Sequence, residues 1–173
     1  MTDLPGLLER TSRTFALSIP RLPEPTRLAV TLAYLLFRIA DTFEDAAVWP
    51  REDRLSALAA FADLLRAPSS TEARHLAAAW HAARPSEDEG YLELLAETPA
   101  VLAELDAFSP KSRAAIVHHA LRTTEGMAAF VRGARDDGGL TLGTEADLRR
   151  YCYVVAGIVG ELLSDLFLIG TPS

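Results

Sequence analysis

Runs of good helix formers, cut at intervals by proline and glycine, constrain this chain more than any other feature. Alanine and leucine dominate the runs, and clusters of β-branched residues are few. No stretch alternates apolar and polar residues as a half-buried strand does, and no segment repeats. Pro20, Pro23 and Pro25 separate a short predicted helix near 12–19 from a long one near 25–47. Trp49-Pro50 closes the long helix, because the residue before proline disfavours helical dihedrals. Residues 51–66 form the next helix, with Leu55, Leu58, Phe61, Leu64 and Leu65 at helical spacing. A Pro68-Ser69-Ser70 turn leads into a helix over 71–83, and Pro85-Ser86-Glu87 starts another short one. Thr98-Pro99 and Ser109-Pro110 each set a capping hydroxyl before a proline at the first helical position. The second of these opens a long helix to about Gly133. Asp136-Asp137-Gly138-Gly139 is a loop. Thr144, with Asp147 three residues on, caps a last helix that runs to about Ile169. The expected fold is all-α. At 173 residues, with 49% of them hydrophobic, the chain suits one domain (1–173) with a sizeable core.

Charge and cysteine usage exclude some classes. The formal net charge is −7 and no basic run exists, so nucleic acid is not an expected partner. Cys152 is the single cysteine, so it forms no intramolecular disulfide and supports no structural zinc site; it reads as a small apolar helix residue. The N-terminus, MTDLPGLLER, lacks the basic-then-apolar pattern of a signal peptide. The most apolar segment, 154–170, contains Glu161 and Asp165, so a spanning helix is not expected. The expected location is cytoplasmic, with peripheral membrane contact left open.

"YLLFRIADTFEDA", residues 34–46, is the first segment with chemistry in it. Residues three and four apart share a helix face. Tyr34, Arg38, Asp41 and Asp45 therefore form one stripe, with Glu44 beside Asp41. Three carboxylates within about 6 Å of one another raise each other's pKa. At the C-terminal end of a helix the dipole adds a cost of roughly 0.3–1 kcal/mol per negative group. Open solvent relieves the repulsion, and so does a divalent cation. Mg²⁺ prefers oxygen ligands and binds through one or two carboxylates plus substrate phosphates. Both readings stay open on spacing alone.

"YCYVVAGIVGELLSDLFLIG", residues 151–170, sets Tyr151, Val154, Val155, Ile158, Glu161, Leu162 and Asp165 on one broad side. Gly157 and Gly160 lie mid-helix, where each costs roughly 1 kcal/mol relative to alanine. They serve close packing or make room for a ligand.

Four segments in order, "SRTFALSI" (12–19), "YLLFRIADTFEDA" (34–46), "GMAAFV" (126–131) and "YCYVVAGIVGELL" (151–163), resemble the squalene and phytoene synthases, the head-to-head prenyl diphosphate synthases. "DTFED" looks like that family's first aspartate-rich motif. The resemblance implies an all-α, isoprenoid synthase-type helical bundle around a central cavity. It implies Mg²⁺-dependent condensation of two farnesyl or geranylgeranyl diphosphates, with NADPH as reductant where the product is squalene. Carried over by position, Asp41 and Asp45 bind Mg²⁺ with Glu44 beside them. Arg38, Ser12 and Arg13 contact diphosphate, and Phe15 and Tyr34 line the substrate site. Tyr151 sits near the departing diphosphate or the carbocation, and Val155, Gly157, Ile158 and Gly160 shape the prenyl channel.

The family's second aspartate-rich motif lies beyond the tyrosine–glycine helix, and no counterpart is found here. Asp136-Asp137 comes too early, and Glu161 and Asp165 fall inside the matched motif. The expectation is therefore the N-terminal portion of a synthase, incomplete at its C-terminal end, with the missing motif on an absent C-terminal half or on a second chain. The alternative is a non-catalytic prenyl-lipid binding or assembly subunit of the same descent. An apolar face including Val154, Ile158 and Leu162, or their neighbours in the late helices, is expected to be exposed and to pair with another copy or a second chain.

Overall fold

The computed structural model describes residues 3–135, 139 and 142–170. Among them there is no strand. The elements are α1 (Leu4–Thr11), α2 (Phe15–Ser18) with a 3₁₀ turn (Ile19–Arg21), α3 (Thr26–Glu44), α4 (Arg51–Arg66), α5 (Ser70–Ala83), α6 (Glu89–Ala96), α7 (Thr98–Ala103) with a second 3₁₀ turn (Glu104–Ala107), α8 (Pro110–Arg132), α9 (Glu145–Cys152) and α10 (Ile158–Gly170).

α3 is the centre of the bundle because it is apolar nearly all round. Leu32, Leu35, Leu36, Ile39 and Phe43 are fully buried. α8 packs on α3 and on α4, α1 and α6 cover another flank, and α10 closes against α3 and α8. Phe43 anchors the lower core: its ring lies 4.7 Å from that of Trp80 and 6.5 Å from that of Phe61, centroid to centroid. Truncating such a buried ring costs about 3–5 kcal/mol.

Most helices lie where the sequence places them. Ser109 caps α8 by accepting from Ser112 N–H at 3.1 Å, with Pro110 in the first turn. Thr144 and Asp147 form a reciprocal capping box. The N-terminus differs. α1 spans Leu4–Thr11, capped by Asp3, and buries Leu4, Leu7 and Leu8. The short helix expected over 12–19 shrinks to α2 and its 3₁₀ turn, with the Ser12 hydroxyl accepting from Phe15 N–H at 2.9 Å. α3 ends at Glu44 rather than near 47, because Asp45 N–H closes on the Asp41 carbonyl at 2.8 Å and Ala47 N–H turns back to Asp45 at 2.6 Å. Asp136, Asp137 and Gly138, expected as a loop, lie outside the described residues.

The last helix is interrupted by a π turn, Tyr153–Gly157, between α9 and α10. Such bulges insert a residue and shift the faces on either side. Thr123 of α8 donates to the Val154 carbonyl there, at 3.4 Å. Gly126 lets α8 pass close by: a Cβ on it would lie 2.6 Å from Val154 Cγ1.

Two expectations about this rod are corrected. Glu145–Gly170 is long and apolar enough to cross a membrane by length and composition, even with Glu161 and Asp165 in it. One side of it is packed in the bundle, and both carboxylates reach α8: Asp165 meets His119 at 2.8 Å and Glu161 meets Arg122 at 2.5 Å. The face of Val154, Ile158 and Leu162 is not exposed; those residues are core, at 7%, 3% and 1% accessibility, because they point at α8 and α3. The exposed large apolar residues of the rod are Leu148, Tyr153, Phe167, Leu168 and Ile169, the last three being the late-helix neighbours that the expectation also allowed.

Candidate active site at the end of α3

The site is built where α3 ends against α9. Tyr34, Arg38, Asp41 and Asp45 follow one another down α3, as the spacing requires. The Tyr34 hydroxyl donates to the Thr11 carbonyl at 2.8 Å, which ties α3 to the end of α1. The same hydroxyl accepts from Arg38 Nε and Nη2, each at 3.2 Å. Arg38 Nη1 donates to Asp41 Oδ2. The guanidinium is thus fixed in its plane by a phenol on one edge and a carboxylate on the other.

Glu44 turns inward and is 2% accessible. Burial first, then the charges of Asp45 and Asp41, push its pKa up to about 7. The Tyr151 hydroxyl donates to it from α9. Burial and then the neighbouring Glu44 raise the Tyr151 pKa, so this phenol stays protonated at neutral pH. Burial also raises the pKa of Asp41, opposed by the Arg38 charge. Asp45 sits at the solvent edge, yet the protein around it still desolvates it enough to raise its pKa.

Beside this acidic end lies a cavity of about 550 Å³. Its walls are apolar: Phe15, Ile19 and Leu22 from α2 and its turn, Val30, Ala33 and Phe37 from α3, Met127 from α8, and Val155, Val159, Leu163 and Phe167 from the last helix. Arg38 and Asp41 stand in its wall and give it a charged end.

Of the sequence candidates, Phe15, Tyr34, Arg38, Asp41, Val155 and Gly160 share this cavity. Tyr151, Glu44 and Asp45 do not line it: Tyr151 and Glu44 pair with each other, with the Asp41 charge acting on Glu44, and Asp45 lines a smaller cleft with Arg38. Ile158 is core and does not line it, and neither does Gly157. A Cβ on Gly157 would lie 2.7 Å from the Tyr153 ring, so that glycine serves local packing of the π turn. Gly160 is the one with open space around it. Ser12 ends α1 and accepts from Phe15 N–H, and Arg13 is exposed; neither lines the cavity. Cys152 is exposed rather than packed.

Sequence reasoning missed Arg54 and Tyr91. Arg54 of α4, 3% accessible, donates to the Glu44 carbonyl. Tyr91 of α6 lies under the Arg38 guanidinium, 5.0 Å from carbon to ring centroid. Neither stands in a motif; only the packing of α4 and α6 against α3 brings them in.

For a divalent cation, the donors fit in kind. Asp41 and Asp45 are hard oxygen ligands on one face, and Glu44 Oε1 is buried with no hydrogen-bond partner. Among the described residues no three acidic, histidine or cysteine side chains converge as a complete site. An ion held by Asp41 and Asp45 would need further ligands from water or a substrate phosphate. For NADPH, the described residues contain no strand and so no glycine-rich strand-to-helix turn, and no residue is assigned to it.

Comparison with known proteins agrees with this geometry. Residues 8–173 match the squalene/phytoene synthase family model. The chain is 33% identical to squalene synthase of Schizosaccharomyces pombe over 161 residues, which is 93% of this chain and 33% of that one. It is 31% identical to squalene synthase of Yarrowia lipolytica over 163 residues, 94% of this chain and 34% of the other. The fold superposes on TcSQS in complex with the ligand E5700 with a TM-score of 0.75 at 27% identity, covering 96% of this chain and 43% of that one. The chain spans about a third of the length of these curated relatives.

Proposed function

The chain belongs to the squalene/phytoene synthase family, and on that footing we propose that it carries the first diphosphate-ionising wall of a head-to-head prenyltransferase. The substrates are two farnesyl or geranylgeranyl diphosphates. The observation that carries this reading is the pairing of a charged end, Arg38 and Asp41, with an apolar cavity of about 550 Å³. A prenyl diphosphate has the same two halves.

Asp41 and Asp45 would hold Mg²⁺, with Glu44 beside them. When bound, the ion neutralises charge that develops on the departing diphosphate. Arg38 aims its guanidinium at the same oxygens from a fixed plane. The apolar walls exclude water, so a carbocation forming there meets few nucleophiles. Tyr151 stays protonated and donates to Glu44, which keeps the phenol from acting as an anionic nucleophile toward that cation. A second wall of carboxylates comes from a second chain or a further segment.

A second reading rests on one observation. Asp41 is the one carboxylate among the described residues that line the cavity. A prenyl lipid is held by such a cavity without being turned over, which describes a binding or assembly subunit. The test is incubation of the purified chain with farnesyl diphosphate, Mg²⁺ and NADPH, with and without a co-expressed candidate partner, followed by lipid extraction. A C30 product in either arm supports the transferase reading. Binding of the substrate with no product in both arms supports the binding subunit.

A further inference from the structure

Arg38 is held in its own plane by Tyr34 and Asp41, and those contacts leave its two faces to be accounted for. One face lies over the Tyr91 ring, with the guanidinium carbon 5.0 Å from the centroid; the Tyr34 ring is 5.6 Å away. Tyr91 reaches this position because α6 comes unusually close to α1. Gly90 makes that approach, since a Cβ on it would lie 2.5 Å from the Arg10 carbonyl oxygen. Arg10 Nε also pairs with Glu93 at 2.6 Å and pins the same turn. Tyr91 and Arg38, with Thr42, Asp45, Pro85 and Ser86, line a small cleft of about 50 Å³, and Arg38 also stands in the wall of the large cavity.

We propose that Tyr91 is a positioning residue: its ring face clamps the Arg38 guanidinium, so that the cation points into the large cavity at a diphosphate group without reorganising. The inference rests on the proposed role of Arg38 as the diphosphate contact. A cation over an aromatic face is attracted by the ring quadrupole, and the attraction grows as the pair is desolvated. Hydrogen bonds in the plane resist sliding and rotation, whereas only a face contact resists tilting. Tyr91 supplies that restraint from an element that contributes nothing to the lining of the large cavity.

The experiment compares wild type, Tyr91→Phe and Tyr91→Leu in the full chain. Phenylalanine keeps the aromatic face, and leucine keeps only apolar bulk. Inorganic diphosphate is titrated calorimetrically in the presence of Mg²⁺. In parallel, the Arg38 Nε–H resonance of the ligand-free protein is followed by NMR. The expected result is diphosphate affinity within about twofold of wild type for Tyr91→Phe and roughly 3- to 10-fold weaker for Tyr91→Leu. The Arg38 resonance holds its position from wild type to Tyr91→Phe and moves in Tyr91→Leu, where only the Tyr34 ring still shifts it. Equal affinity and an unchanged resonance in all three proteins overturn the clamp. So does equal weakening in both variants, which would assign the effect to the phenol hydroxyl. If wild type binds no diphosphate, the role given to Arg38 fails, and the Nε–H resonance alone still decides whether Tyr91 holds it.

Discussion

The Arg54 guanidinium, on α4, donates to the backbone carbonyl of Glu44, the last residue of α3. This contact answers how three carboxylates are tolerated at a helix C-terminus. The last carbonyls of a helix lack partners and carry partial negative charge. Asp41, Glu44 and Asp45 add like charge to that end. Arg54 takes up one orphan carbonyl and brings a cation, which lowers the pKa of both Glu44 and Asp45 against the larger effect of burial.

Arg54→Met therefore removes a cap and a countercharge at once, and leaves Arg38 as the countercharge to Asp41 and Asp45 while Glu44 loses its own. The expected loss is about 2–4 kcal/mol of folding stability, in the range for breaking one partner of a buried charged contact. Urea denaturation at neutral pH measures it. Wild-type stability in Arg54→Met would mean that the α3 end is held by its other contacts.

Asp41→Asn and Asp45→Asn are expected to remove Mg²⁺-dependent diphosphate binding while helicity is kept. Asn preserves the size of each group and removes its charge. The loss should be at least the roughly 10- to 100-fold that follows removal of partners one layer further from a metal. Calorimetry with and without Mg²⁺, beside far-UV circular dichroism, reads both quantities. An unfolded variant whose folded fraction still binds Mg²⁺ normally would make the acidic cluster structural.

Glu44 predicts a pH dependence. Its pKa is near 7 in the folded protein against an ordinary 4.5. Because folding raises the value, the native state holds a proton that the unfolded chain has released between those limits. The associated stability is fully present below about pH 4.5 and is lost as pH rises through about 7. Asp41 and Asp45 shift in the same direction. Without Mg²⁺, wild type should lose up to about 3 kcal/mol between pH 5 and 8, and Glu44→Gln should lose clearly less. Parallel stability curves for the two proteins would remove Glu44 as the source.

The helical punctuation was legible because prolines and capping hydroxyls act locally, as at Ser109-Pro110 and Thr144. α1 was missed although Asp3, Pro5 and the leucines at 4, 7 and 8 spell it, because the three prolines after Ile19 drew the boundary too late. The stripe from Tyr34 to Asp45 was legible because a helix fixes its own faces. Arg54 and Tyr91 were not, since they reach the site through tertiary packing that no spacing encodes. The π turn was equally hidden: it changes which of two glycines meets the cavity, and a uniform helical period cannot show that.

Gly157 and Gly160 consequently predict opposite behaviour. Gly160 has no heavy atom within 4 Å of where a Cβ would stand, and it lines the large cavity. Gly160→Leu should fold with little loss of stability and fill the cavity, so that a non-hydrolysable farnesyl diphosphate analogue binds much more weakly while inorganic diphosphate binds as before. A Cβ on Gly157 would lie 2.7 Å from the Tyr153 ring, and Gly157 is not among the cavity-lining residues. Tyr153 is held by Arg122 at 2.5 Å and by Glu161 at 2.7 Å, so its ring does not yield freely. Gly157→Ala should therefore cost about 1–3 kcal/mol, the range for overpacking, less the fraction of a kilocalorie that alanine returns in helix propensity. Its effect on the analogue should follow the loss of folded protein and go no further. Weak analogue binding in well-folded Gly157→Ala, or normal binding in Gly160→Leu, would put the cavity wall on the other side of the turn.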